Sequence, residues 1–299
     1  MDKILCIIVT YNGIQWIKRC LDSIKNSSVH IDAFIIDNGS SDGTIQFVKD
    51  NYSYIYLLEN KENVGFGKAN NIGFEYAIKN NYDYIYMLNQ DAWLLQDTVE
   101  KMIDIYNRNT KYSILSPFQM SANLKKIDFQ FWANLNSAVS FRCLMNDLYN
   151  NEPKEVYPVD FVMAAHWFMP IKTLKEIGGF SPTFPHYGED SNYIDRIKYK
   201  KGLIGIVPSL KVVHDRSERV VDNDKKIYFG YTTSLKELSN PNMTLIRAIF
   251  RNIIIVFYGI IKYKSIKPVL YLFRIIISIK QIVYNKKISI ENKCAFLNL

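Results

Sequence analysis

Long apolar runs are scarce in this 299-residue chain. In its C-terminal part the longest, residues 253–261, holds nine residues. A helix of that length rises about 14 Å against a hydrocarbon core of ~30 Å, which argues against a membrane-spanning segment there. The run at residues 4–9 is six residues long, follows Asp2 and Lys3, and lacks a small-residue cleavage site, so export through a cleaved signal peptide is not expected. Cysteine is sparse as well. Cys6, Cys20, Cys143 and Cys294 show no CxxC or His-paired spacing, which argues against a disulfide framework or a structural zinc site and fits a reducing cytoplasm. With only 13 Gly and 9 Pro beside 48% hydrophobic and 22% charged residues, collagenous, low-complexity and wholly disordered classes are excluded.

Acidic residues are nearly absent from residues 243–299, which carry ten Lys/Arg and a single Glu. The net charge of +8 therefore resides in that segment, and residues 1–242 balance at −1. A near-neutral main region offers nucleic acid no electrostatic footprint, whereas a cationic, Ile-rich tail suits an anionic membrane surface or an acidic partner. Two apolar helical stretches, 245–261 and 269–283, are joined by residues 262–268, with Pro268 as a helix start. Residues 1–240 are expected to form one domain and residues 241–299 a basic amphipathic helical tail. That tail either lies on a membrane surface or packs on protein, whether on its own domain or in a homo-oligomer.

The first third of the chain alternates. Apolar strands at 4–10, 33–37, 54–59 and 84–88 are each followed by helical periodicity, at 14–26, from 41 or 42, at 69–79 and at 96–109. Such units imply an α/β fold with a mostly parallel central sheet flanked by helices, and ligands of such sheets bind at the carboxyl ends of the strands. Residues 120–160 lack clean periodicity and read as loops and short strands over a pocket. A strand at 161–165, a helix stopping at Gly178-Gly179, a helix from the 180–190 loop to about 200, and a strand ending at His214 complete the main domain.

Polar residues that end strands are therefore the candidates. Thr10, Tyr11 and Asn12, then Asp37, then Asn89, Gln90 and Asp91 should gather on one edge. A carboxylate such as Asp37 accepts the imide N–H of uracil or thymine, while Asp42 in the same turn suits helix capping. Asp91 is an oxygen ligand of the kind a hard divalent cation uses when it bridges protein to a diphosphate. Glu189 and Asp190 are neighbours, and successive helical residues point about 100° apart, so one of the two should face the chemistry. Phe184, His186 and Tyr187 offer it partly apolar surroundings, as a base working near neutral pH requires. His214 ends a strand and is a candidate metal ligand, whereas His166, in an apolar stretch, reads as packed or as pocket wall. Gly65-Phe66-Gly67 lacks the third glycine and the leading first strand of a dinucleotide loop, so nicotinamide binding is not expected.

Taken in order, VTYNG (9–13), IDNGSSDGT (36–44), NVGFGKANNIG (63–73), LNQDAW (88–93), GGFSPTFPHYGED (178–190) and VVHDRS (212–217) resemble the family 2 glycosyltransferases. The likeness is strongest to the bacterial branch containing rhamnosyltransferases and covers about residues 3–217. It implies a GT-A nucleotide-diphospho-sugar transferase fold. It also implies inverting, metal-dependent, non-processive transfer of a hexosyl or deoxyhexosyl unit from a UDP- or dTDP-sugar to a hydroxyl of a bacterial cell-surface glycan or lipid-linked acceptor. By the same resemblance Thr10, Tyr11, Asn12 and Asp37 form the nucleotide edge, and Asn63, Gly65, Lys68, Asn70, Asn89 and Gln90 complete the nucleotide-sugar site. Asp91 matches the last position of the DxD motif and, with His214, would hold Mn²⁺ or Mg²⁺. Asp190 matches the general base, with Glu189 beside it.

The chain departs from the family pattern in places. Asn89 stands for the first acid of DxD, Asn192 for an acid often found after the ED pair, and the QxxRW motif of processive synthases is absent. His166 and Trp167 interrupt the small-residue stretch that usually borders the acceptor. The alternative implied is a catalytically silent nucleotide-sugar or glycan-binding adaptor of the same fold. The setting implied is cytoplasmic, peripheral at the inner face of the plasma membrane.

Overall fold

The computed structural model describes residues 2–135, 139–216 and 222–299, with backbone alone at 139–141; Ser217, the last residue of the VVHDRS motif, lies outside the described residues. Four strands, β1 (Ile4–Thr10), β2 (Asp32–Asp37), β3 (Tyr56–Glu59) and β4 (Tyr84–Asn89), alternate with α1 (Ile14–Lys25), α2 (Thr44–Asn51) and α3 (Phe66–Lys79). After the short β5 (Ala92–Trp93) come α4 (Thr98–Arg108), β6 (Tyr112–Met120), α5 (Phe129–Leu135), α6 (Val139–Tyr149) and β7 (Tyr157–Pro158). β8 (His166–Pro170), α7 (Ile171–Ile177), α8 (Glu189–Tyr199) and β9 (Leu203–His214) follow. Three helices end the chain: α9 (Asn223–Ser239), α10 (Leu245–Tyr263) and α11 (Lys267–Glu291).

Among the described residues the strands form one nine-stranded sheet in the order β3-β2-β1-β4-β8-β6-β9-β5, with β7 also on β9. β1 to β4, β6 and β9 run one way; β5, β7 and β8 run against them. The sheet is thus mixed, although its majority direction is the expected parallel one. Strand periodicity explains how both faces are covered: Leu5 and Ile7 of β1 join the core beneath α3, while Ile4, Cys6 and Ile8 join the core beneath α1 and α4.

Two expectations are corrected. Residues 120–160 hold α5 and α6 rather than loops and short strands alone. Asp128 starts α5 by accepting the Phe131 N–H at 2.7 Å, and the apolar residues buried on α5 and α6 among the described ones, Phe131, Leu135 and Leu144, are scattered, which hides the helical period among Asn and polar neighbours. The strand read at 161–165 begins instead at His166. Its partner β4 ends at Asn89, so the antiparallel ladder runs from Leu88↔His166 to Tyr84↔Pro170, and Ala165 adds one bond beyond it, its O accepting the Asn89 N–H at 3.1 Å.

The C-terminal helices are built onto this frame. Ala248, Asn252, Val256 and Gly259 of α10 and Ile275, Ile282 and Ser289 of α11 are buried, one stripe on each helix. Residues 294–298 then return to the main domain. Gly179 N–H donates to Ala295 O at 2.7 Å, beside Gly178, whose φ of +87° and lack of a Cβ (which would lie 2.1 Å from Ala295 O) both require glycine.

Candidate active site

Thr10 and Asp37 are register partners at the ends of β1 and β2, and both are fully buried. Asp37 Oδ1 accepts Thr10 Oγ1 at 2.7 Å and Ser40 Oγ at 2.5 Å, and Oδ2 accepts the N–H groups of Gly39 and Ser40 at 2.9 and 2.8 Å. A carboxylate has about four acceptor sites. Its own loop therefore saturates Asp37, and a ligand N–H reaches this carboxylate by sharing or replacing one donor, of which the Ser40 hydroxyl is the one free to rotate.

The neighbouring loops are knitted in the same way. Asn12, at φ 48°, donates its N–H to Ser40 Oγ and accepts the Ser41 N–H on Oδ1, at 2.8 and 2.9 Å. Asp42 accepts from the N–H groups of Ile14 and Thr44 and from the Thr44 hydroxyl but is not the cap of α2, which starts at Thr44, rather than at 41 or 42, with Gly43 as N-cap. Gln90 exchanges two hydrogen bonds with the Tyr11 backbone, at 2.9 and 3.1 Å, which leaves the Tyr11 side chain exposed. Asn89 ends β4 beside Val9.

At the start of α3, Asn63 Oδ1 accepts the Gly65 N–H at 2.9 Å. Gly65 sits at φ +88°, where a Cβ would meet Pro185 O at 2.7 Å, so the 180–188 loop can lie directly on it. Asn38 Nδ2 donates to Gly65 O at 3.4 Å and joins this turn to the β2 edge. Lys68 is exposed. Asn70 is buried and donates to Phe66 O within its own helix at 2.9 Å.

Asp91 and His214 are 123 positions apart in sequence, yet the antiparallel pairing Ala92↔His214 of β5 on β9 brings them together. Asp91 Oδ1 lies 3.5 Å from His214 Nε2, with both side chains almost wholly buried. Two donors each ~2.1 Å from one cation stand about 3 Å apart, so this carboxylate and imidazole suit a divalent ion whose other ligands come from elsewhere. His214 Nδ1 is buried without a hydrogen-bond partner among the described residues, while Nε2, the nitrogen nearest Asp91, also accepts from Arg216 Nε at 3.5 Å. No group of three or more His, Cys, Asp or Glu is gathered for a metal among those residues; the fit is to a cation that diphosphate oxygens help to hold.

His166 lies beneath this pair as a packed residue. Tyr86 OH lies 3.0 Å from its Nδ1 and Val213 O 2.9 Å from its Nε2. These partners assign the proton to Nε2, and burial pushes the pKa down to about 3.

Glu189 and Asp190 open α8 and diverge as the helical turn requires. Glu189 is buried against Gly67 of α3, and its Oε2 has no hydrogen-bond partner among the described residues. Asp190 lines a cavity of about 400 Å³ together with Arg216, Lys236, Phe161, Met163 and Phe229, and its Oδ1 accepts the Ser191 N–H at 2.7 Å. Burial, then the adjacent Asp190 charge, hold the Glu189 carboxyl well above the usual range. Burial raises Asp190 too, opposed by the Ser191 N–H and by the positive charges of Lys236 and Arg216. The two side chains therefore stand in different surroundings: Glu189 is packed inside against α3, and Asp190, with Lys236 and Arg216 beside it, faces the cavity.

Phe184, His186 and Tyr187 do not line this cavity; its apolar wall is Phe161, Met163 and Phe229. His166 and Trp167 are fully buried in the core rather than at the cavity. Sequence reasoning also missed Lys236, Thr232 and Thr233 of α9 and Gln130 and Asn134 of α5, all of which line it. Arg216 was visible only as part of VVHDRS. It links the two halves, with Nε 3.5 Å from His214 Nε2 and its side chain in the Asp190 cavity.

Residues 5–153, which contain the saturated β1–β4 edge, match the family model for Glycosyl transferase family 2. The chain belongs to that family. Over 242 residues it is 22% identical to the N-acetylglucosaminyl-diphospho-decaprenol L-rhamnosyltransferase of Mycobacterium tuberculosis, covering 72% of this chain and 77% of that one. Over 104 residues it is 29% identical to Glycosyltransferase GlyA of Streptococcus pneumoniae, covering 34% of this chain but 14% of that relative. The fold is shared with S. aureus TarS 1-349 in complex with UDP, at TM-score 0.55 and 14% identity, over 82% of this chain and 68% of that one. This family 2 chain thus has a GT-A α/β fold with a mixed sheet and C-terminal helices; Asp91 lies within the matched region, and Asp190 and His214 lie beyond it.

Proposed function

We propose that the protein is an inverting, non-processive glycosyltransferase that moves a sugar from a UDP- or dTDP-sugar to a hydroxyl of a cell-surface glycan or lipid-linked acceptor. The observation that carries the reading is the cavity beside Arg216 and Lys236 into which Asp190, and not Glu189, opens. In this reading the acceptor hydroxyl sits against Asp190. Its oxygen forms the new bond to the anomeric carbon as the bond from that carbon to the diphosphate breaks on the opposite face, and the hydroxyl proton passes to Asp190. Attack from the face opposite the leaving group inverts the anomeric configuration. Arg216 and Lys236 stabilise the negative charge that develops. Thr10, Tyr11, Asn12 and Asp37 hold the nucleotide along the β1–β2 edge, with Asn63, Gly65, Lys68, Asn70, Asn89 and Gln90 around it. Asp91 and His214 would hold Mn²⁺ or Mg²⁺, which supplies charge neutralisation to the departing diphosphate.

Purified protein with manganese should release UDP or dTDP slowly from a donor sugar, and Asp190→Asn should abolish that release while nucleotide still binds. Nucleotide binding without release in the unaltered protein would favour the silent adaptor instead.

The tail reading continues from the same structure. No described helix is long and apolar enough to cross a membrane, yet the outer faces of α10 and α11 expose Ile246, Phe250, Phe257, Ile261, Phe273 and Ile277 among Arg and Lys. Residues 241–299 would then seat the catalytic residues 1–240 on an anionic inner-membrane face. Because the inner stripes of both helices are part of the fold, the test is a pair of outer substitutions, Phe257→Glu with Phe273→Glu. Flotation with anionic vesicles should be lost and nucleotide binding kept.

A further inference from the structure

The cavity that holds Asp190 has a neighbour. A second one, of about 200 Å³, lies between α9, α10 and α11, and Phe229 and Thr233 line both. On α9 the first cavity is bordered by Phe229, Thr232, Thr233 and Lys236, and the second by Ile227, Gly230, Tyr231 and Ser234. Residues turn by about 100° per position on a helix, so these are adjacent faces of one helix, and a single ridge separates the catalytic cavity from the groove. The groove is walled mainly by aliphatic and aromatic groups, among them Ile255 and Leu272, with Lys226 beside them. Its α9 side has room because residue 230 has no side chain: the nearest atom to a Cβ there is Ile255 Cγ2, at 3.8 Å.

We propose that this groove receives the first part of the polyprenyl chain of a lipid-phosphate-linked acceptor, an inference that rests on the glycosyltransferase reading above. Such an acceptor has three chemically distinct parts in fixed order: a sugar hydroxyl, a phosphate or diphosphate, and an apolar chain. The molecule offers complements to all three, the first two within one cavity and the third in the groove beside it. Asp190 suits the hydroxyl, Arg216 and Lys236 suit the anion, and the apolar groove lies one helix face further on. Beyond it the same two helices expose the apolar outer face, with Phe257 62% and Ile261 75% exposed, where the rest of a long chain would remain in lipid. A free glycan acceptor would have no use for the groove, and the nucleotide edge lies on β1 and β2.

The test uses the full chain in vesicle-free solution with fluorophore-labelled farnesyl diphosphate as probe, read by anisotropy, and UDP and dTDP titrated in parallel. Saturable probe binding is expected. Gly230→Leu should fill the groove and weaken the probe at least about tenfold, as loss of buried apolar contact implies, while Gly230→Ala and the outer-face variant Ile261→Lys leave it unchanged. Nucleotide affinity should stay constant throughout. If Gly230→Leu loses nucleotide binding as well, Leu272→Trp, which narrows the groove from α11, decides in its place. Nucleotide binding with no saturable probe binding, or a probe indifferent to both groove variants, overturns the proposal alone. Displacement of the probe by an equal concentration of oleate also overturns it, by making a membrane acyl chain the occupant. Failure of either nucleotide to bind the unaltered protein overturns the glycosyltransferase reading whatever the probe does.

Discussion

The two sides of the site differ in how completely they satisfy themselves. Along β1 and β2 every acceptor site of Asp37 is filled, and Asn12, Asp42 and Gln90 are each bonded to backbone across a loop. Around α8 and β9, Glu189 Oε2, Asn192 Oδ1 and His214 Nδ1 are buried with no hydrogen-bond partner among the described residues, and two adjacent carboxyls are both raised. A satisfied network fixes a surface before any ligand arrives; an unsatisfied one leaves free energy that a ligand, ion or proton can recover. Under the proposed function the first side serves as a platform and the second as the reacting side.

The largest effect should come from the reacting side. Asp190→Asn is expected to lower turnover by ~10²–10⁴, the usual worth of a general base, with nucleotide affinity unchanged by calorimetry. A fall in affinity with turnover preserved would reverse the roles of the two sides.

Asp37→Ala tests the platform. It strands the buried Thr10 hydroxyl and the half-buried Ser40 hydroxyl and Gly39 and Ser40 N–H groups, so a loss of stability on the order of 3 kcal/mol is expected. Chemical denaturation measures it, and weaker nucleotide binding should accompany it.

Glu189→Gln should change turnover by less than about tenfold, because the carboxyl it replaces already carries a proton. Its signature lies in pH. A carboxyl whose folded pKa is raised binds its proton more tightly in the folded state, so its stabilising contribution is complete below the ordinary carboxyl pKa of about 4 and is lost as pH rises through the folded value. Melting temperature should therefore fall with rising pH across that window in the unaltered protein, and fall less in Glu189→Gln. Identical slopes would show that Glu189 ionises freely. The smallest effect is expected from Gln90→Leu, which removes two exposed bonds to Tyr11 and should cost about 1 kcal/mol.

The platform was legible in sequence because its parts are local: an apolar strand, then polar residues within four positions, repeated. Alternation also placed the helices within a few residues, and the adjacency of Glu189 and Asp190 foretold that they diverge. The reacting side was less legible because it is assembled from distant pieces. Nothing near Asp91 announces that β5 will pair with β9, and Lys236 sits in a helix that carries no motif. The partly apolar surroundings expected from Phe184, His186 and Tyr187 come instead from Phe161, Met163 and Phe229, since proximity in sequence to Asp190 is not proximity to the face it presents. His166 and Trp167 read as intrusions at the acceptor, yet register with β4 turns them into the core.

The return of residues 294–298 to Gly178-Gly179 has a consequence in time. The bonds it makes join residues as far apart as 225 positions, and a closure of that length costs little more entropy than a shorter one but has to wait for its second partner. At ~5–20 residues per second of synthesis, the hundred or so residues between Asp190 and Ala295 take roughly 5–20 s to appear. During that interval a nascent chain can fold its nucleotide platform while the segment leading into Glu189 and Asp190 still lacks its clasp. Under the proposed function, the order of translation thus delays completion of the base until the helical hairpin that would carry the protein to its working surface has itself been made.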